Sequence, residues 1–186
     1  MRAVPITVTA LAATLLLTAC DSGSGSHSAG SSASSSSSSS SGKQKSGGAC
    51  AVDQLGAEVG PVNAAPAAGD SGNVTVTLTN RGSACTLEGF PGVDLHAGDT
   101  SAAVPADEAA QAQKLTLAAN GTTSFTITYV RGEAGGSKSL AVKTVKYSLP
   151  GADTEESFTW SYGEVALKGD GGEPDASVSA FQQSGD

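Results

Sequence analysis

Three stretches alternate apolar and polar residues one by one, and this period of two constrains the chain more than any other feature. In NVTVTLTN, residues 73–80, Val74, Val76 and Leu78 point one way and the threonines the other. TSFTITYV sets Phe125, Ile127 and Tyr129 on one face, and SFTWSY does the same with Phe158, Trp160 and Tyr162. Successive side chains of a strand project to opposite faces, so each stretch reads as a strand with one face buried. Leu115 and Leu117 mark another strand ahead of Asn120-Gly121, a dipeptide that tolerates positive φ. That predicts a hairpin pairing 114–118 with 122–130. In LAVKTVKYSLP, Val145, Tyr147 and Leu149 alternate while Val142 is out of phase. This predicts a bulge near Lys143 or a strand that begins later, closed by Pro150-Gly151. Only VPADEAAQAQ, residues 104–113, has the makings of a helical turn. Short strands separated by Gly, Pro and Asn turns predict an all-β fold, an immunoglobulin-like antiparallel β-sandwich of about seven strands, with a rolled barrel as the alternative.

The alternation begins only after residue 50, and every aromatic residue lies from Phe90 onward, so the first third of the chain is expected to contribute little to a core. Met1 to Leu17 carries one basic residue, Arg2, and then an apolar run that is shorter than the ~20 residues a membrane-spanning helix needs. It fits a signal peptide over residues 1–19. Leu17, Thr18, Ala19 and Cys20 resemble the bacterial lipobox, in which diacylglycerol is attached to the Cys thiol and the chain is cut just before it. Cys20 is therefore the expected lipid attachment point and mature N-terminus, and the lipid is the expected link to the membrane. Between Cys20 and Cys50 fifteen residues are serine, with Ser34 to Ser41 unbroken, and no apolar periodicity interrupts them. Burial there cannot offset the entropy of ordering. Residues 20–48 thus read as a disordered tether of roughly 30 Å, with the sandwich over 49–168 and an acidic tail over 169–186 that has room for a short edge strand.

The run GNVTVTLTNRGSACTLEGFPGVDL, residues 72–95, resembles a segment of actinobacterial secreted lipoproteins grouped as domain-of-unknown-function family 4232. The shared pattern is a strand ending in Thr-Asn, a Gly/Ser turn, and then Cys-Thr-Leu-x-Gly-aromatic-Pro-Gly-Val, preceded by an earlier Cys. Cys85, Thr86, Leu87, Gly89, Phe90, Pro91, Gly92 and Val93 match it, with Cys50 as the earlier cysteine. The resemblance implies an immunoglobulin-like sandwich and export, and it implies no activity. Many relatives carry a second cysteine pair later in the chain, whereas this chain has no cysteine after Cys85.

Three cysteines in an exported chain leave one over, and the lipobox accounts for Cys20. Cys50 and Cys85 then remain as a pair in an oxidising compartment, where a structural disulfide is the default. With Asp+Glu 18 against Lys+Arg 10 the net charge is -8, which repels phosphate backbones and excludes nucleic acid as a partner. No catalytic residue, metal site or cofactor is expected. His96 could be assembled with Asp94 or Asp99 and a serine into a triad, but no nucleophile elbow accompanies it, and it reads as an exposed loop histidine. His27 lies in the serine tract without a second ligand nearby. Asp107-Glu108 and Glu155-Glu156 read as solvated charges rather than paired carboxylates for glycoside cleavage. GDGGEPD, residues 169–175, lacks the spacing of a calcium loop. The expected function is a non-catalytic binding or interaction module at the outer face of the cytoplasmic membrane, with an envelope protein or glycan as partner. A surface hydrolase or enzyme accessory domain is the alternative.

Overall fold

The computed structural model describes residues 47–169 and 172–183, all within the compact unit Gly42–Asp186. The signal peptide 1–19, Cys20, His27, nearly all of the tether 20–48, and Asp170 lie outside the described residues. The domain is all-β and antiparallel, an open immunoglobulin-like sandwich rather than a closed barrel. One sheet is built from β1 (Leu55–Asn63), β2 (Ser71–Asn80), β7 (Thr122–Val130) and β13 (Ala176–Val178), with β14 (Gln182–Gln183) also on the edge of β7. The other runs in the order β10 (Glu155–Thr159), β9 (Thr144–Ser148), β4 (Gly92–Ala97) and β5 (Thr100–Ala103). A two-stranded ribbon of β3 (Cys85–Glu88) and β6 (Lys114–Leu117) lies beside them. A small sheet of β8 (Ser139–Leu140), β11 (Val165–Lys168) and β12 (Glu173–Pro174) completes the set.

The alternation of β2, β7 and β9 resolves as its period demands, whereas in SFTWSY the strand ends at Thr159, with Phe158 and Tyr162 half-buried and Trp160 buried beyond its end. Val74, Val76 and Leu78 of β2, with Phe125, Ile127 and Tyr129 of β7, are buried on the inner face of one sheet. Val145 and Tyr147 of β9 and Val93 and Leu95 of β4 meet them from the other. Ring contacts join the layers, with Phe125 and Tyr147 at 5.6 Å between centroids and Tyr129 and Trp160 at 4.9 Å. Val142 is buried just ahead of β9, which begins at Thr144, so the strand starts late. Pro150-Gly151 closes the β9–β10 hairpin, with Gly151 at φ 73° and the Ala152 N–H donating to the Leu149 carbonyl.

The described residues hold fourteen strands, several of them fragments of two to four residues. Two expectations are corrected. Residues 104–113 make one turn, capped where Asp107 Oδ1 accepts from the Ala109 N–H, and no helix. The stretch 114–118 does not form a hairpin with 122–130. β6 pairs with β3, placing Cys85 opposite Leu117 and Leu87 opposite Leu115, while β7 pairs with β2. The chain therefore crosses between sheets at Asn120-Gly121, and Asn120 does adopt φ 62°. After residue 168 the chain forms the short edge strand for which the sequence left room: β13 lengthens the sheet on β7, and Val178, Ala180 and Phe181 are buried.

The crossing is fixed by one buried side chain, Asn80, which is 0% exposed. Its Nδ2 faces the carbonyls of Ser83, Leu117 and Ala118 at 2.8, 3.2 and 3.1 Å, and its Oδ1 accepts from the Gly82 N–H at 2.9 Å. Its backbone N–H donates to the Gly121 carbonyl, and its carbonyl accepts from the Asn120 N–H. Buried amides are kept where they satisfy otherwise orphaned backbone groups. Next to it, Cys50 and Cys85 form a disulfide across 35 residues of sequence, tying the lead-in of β1 to the start of β3.

Candidate functional site

The long strands β2 and β7 pair over nine positions, from Thr79 opposite Thr122 to Ser71 opposite Val130. At about 3.3 Å per residue, these positions separate the two ends of the sandwich by roughly 27 Å. The disulfide, Asn80 and the point where the chain enters the domain lie at one end. At the other, the segments 64–69, 131–139 and 160–164 come together, and side chains of the core tie them in place.

Tyr129, at the end of β7, donates its hydroxyl to the Tyr162 carbonyl at 2.9 Å and accepts from the Ala65 N–H at 3.2 Å. Arg131, two residues on, donates from Nη1 to the carbonyls of Ala65 and Pro66 at 2.7 and 3.1 Å. Trp160 Nε1 donates to the Gly163 carbonyl at 2.7 Å. Gly163 has φ 90°, and a Cβ there would sit 2.8 Å from Arg131 Nε, so both backbone shape and space require glycine. Glu164 braces the glycine-rich loop twice: its carbonyl accepts from the Gly132 N–H at 2.8 Å, and its carboxylate from the Gly135 N–H at 3.0 Å.

The first two of these segments, with Ala166 and Leu167 of β11, line an open cleft of about 510 Å³. Its polar lining is Arg131, Glu133, Ser137, Lys138 and Ser139, and glycines at 69, 132 and 136 leave backbone at its walls. Hydroxyls, charges of both signs and bare backbone on a braced frame suit recognition of a polar partner. Among the described residues neither serine hydroxyl is hydrogen-bonded by a histidine or a carboxylate.

The residues singled out from the sequence do not gather here. Cys50 and Cys85 are joined at the opposite end, and Cys20 lies outside the described residues. His96 is not in a loop: it is a half-buried residue of β4, in register with Ser101 and Thr144. Asp94 shares its strand, and Asp99 sits in the β4–β5 turn. Glu155 pairs with Lys146 at 3.2 Å, and Glu156 lies across from Tyr147. Glu173 of the GDGGEPD run lies in β12, paired with β11, where Lys168 meets it at 3.6 Å, and Asp175 sits in the bend before β13.

Sequence reasoning missed Arg131, Glu164 and the loop 131–139. The signal was available in RGEAGGSKS, where three glycines in nine residues interrupt the strand pattern. A family model described as a domain of unknown function, DUF4232, matches residues 50–182. No curated protein matches the chain.

Proposed function

We propose that this chain, which belongs to the DUF4232 family, is an exported, lipid-anchored cell-envelope protein whose sandwich is a non-catalytic binding module. The observation that carries this reading is the opposition of the two ends: the chain enters beside the disulfide, and the braced polar cleft lies roughly 27 Å away at the far end of β2 and β7. A domain held through its N-terminal side presents that far end to its surroundings. The disulfide supports an oxidising compartment outside the cytoplasm. Among the described residues no helix is long and apolar enough to cross a membrane. Attachment would then come from diacylglycerol on Cys20, since two acyl chains suffice for stable anchoring. Function on such scaffolds is carried by loops positioned on a rigid frame, which fits the bracing by Tyr129, Arg131 and Glu164.

The test has two arms. Wild-type protein should partition into detergent and the Cys20→Ala form into the aqueous phase; equal partitioning refutes the anchor. A photo-cross-linker at Ser137, on intact cells, should capture a defined envelope component, and Arg131→Ala should abolish the capture. Turnover of an envelope ester that is lost in Ser139→Ala would replace this reading with the surface hydrolase.

A further inference from the structure

A second concavity, distinct from the loop cleft, has a different chemistry. A groove of about 470 Å³ runs between residues 110–115 and the C-terminal strand β14. Gln111 and Gln113 stand on one side and Gln182 and Gln183 on the other, with Leu115 and Phe181 beneath. None of its eight lining residues carries a charge, although the chain has 18 acidic residues. All four glutamines are exposed, and none of their side-chain amides bonds to another described residue. The frame beneath them is fixed. Thr123, itself 0% exposed, donates its hydroxyl to the Gln182 carbonyl at 2.8 Å, and the Phe181 ring stands edge-on to Phe125 at 5.8 Å.

Each glutamine amide offers two donors and an acceptor with two lone pairs. That combination matches a ligand whose groups also donate and accept side by side, as adjacent sugar hydroxyls or an acetamido group do. A charged ligand would find no counter-charge among the eight described lining residues, and a polyanion would be repelled by the net negative charge of the chain. An extended peptide would draw its affinity from backbone pairing on an open strand edge, and β14 is only two residues long. We propose that this groove binds a neutral saccharide chain, with the four amides contacting its hydroxyl or acetamido groups over the Leu115–Phe181 floor. The proposal rests on the binding-module reading and names a ligand class for it.

The experiment is a titration of the full chain, labelled with nitrogen-15 in its glutamine side chains, with cellotetraose and with the β-1,4-linked tetramer of N-acetylglucosamine. At least one should shift the amide signals of Gln111, Gln113, Gln182 and Gln183 saturably, with a dissociation constant on the order of 1 mM. Replacing Gln113 and Gln182 together by alanine should weaken binding about tenfold or more, through two lost hydrogen bonds, while leaving the melting temperature unchanged. The proposal is overturned by saccharide binding that survives the double substitution, by the absence of shifts with both sugars, or by shifts with a capped neutral peptide in place of the sugars. If neither sugar binds while Ser137 still captures an envelope partner, the saccharide proposal falls and the binding-module reading stands.

Discussion

Replacing Asn80 by alanine removes the one side chain that joins β2 to the crossing at Asn120-Gly121. Four contacts go with it: Nδ2 to the carbonyls of Ser83, Leu117 and Ala118, and Oδ1 to the Gly82 N–H. A net hydrogen bond contributes about 1 kcal/mol, and a buried backbone group left without a partner costs about 1–3 kcal/mol. The bond to Leu117 is fully buried, whereas the other three are partly open and water can replace them in part. The expected loss is therefore about 3–5 kcal/mol, a large part of the 5–15 kcal/mol typical of a domain. At about 3–5 °C per kcal/mol for a domain of this size, the melting temperature should fall by roughly 10–20 °C. Asn80→Asp should be worse, because it keeps the shape but turns a carboxylate oxygen toward three carbonyls. Asn73→Ala serves as the control, since Asn73 is exposed and only accepts from the Thr128 hydroxyl, and should change stability by less than about 0.5 kcal/mol. Urea unfolding followed by tryptophan fluorescence reads all three, because Trp160 is buried. A loss below about 1 kcal/mol for Asn80→Ala would refute the claim that this side chain holds the crossing.

Three further outcomes are expected. Mass mapping of the non-reduced protein should find the Cys50 and Cys85 peptides linked, and replacing both cysteines by alanine should cost roughly 3–4 kcal/mol through the freed unfolded chain; free thiols at both positions would refute it. Tyr147 has a buried hydroxyl without a hydrogen-bond partner among the described residues, and burial, aided by Glu156, pushes its pKa from 10.0 up to about 12. The folded state thus holds this proton more tightly than the unfolded chain, so its contribution is complete below pH 10 and is lost as pH rises toward 12. Tyr147→Phe should be neutral or slightly stabilising at pH 7 and should flatten that alkaline loss in a pH series of urea melts; an unchanged slope would contradict the shift. A chelator should leave the melting temperature of the whole chain unaltered, and a drop of several degrees would reveal an ion site, with Asp170, Glu173 and Asp175 the first place to look.

The sequence by itself determined which residues face inward. Val74, Val76, Leu78, Phe125, Ile127, Tyr129, Val145 and Tyr147 alternate in the chain and are buried, because a strand's side chains must alternate whatever its neighbours are. It also predicted the disulfide of Cys50 and Cys85, once Cys20 was set aside as the expected lipid site. It did not determine which strands are neighbours. Backbone hydrogen bonds are the same for every partner, so β6 reads equally well as a hairpin with β7 or as the companion of β3. The choice rests on Asn80, whose amide lies 37 and 38 residues away in sequence from the carbonyls of Leu117 and Ala118. Asn120-Gly121 likewise permits positive φ in either a hairpin or a crossing, and only the paired backbone bonds to Asn80 select the crossing. The C-terminal segment looked polar for the same reason: Phe181 is a lone aromatic among small and polar residues, and it becomes core only where the fold sets it against Phe125. The loop cleft, too, exists only in three dimensions. Arg131, Tyr129 and Glu164 are unremarkable in sequence, and they become a brace because the ends of distant strands bring the carbonyls of Ala65 and Tyr162 and the N–H groups of Ala65 and Gly135 within hydrogen-bonding reach.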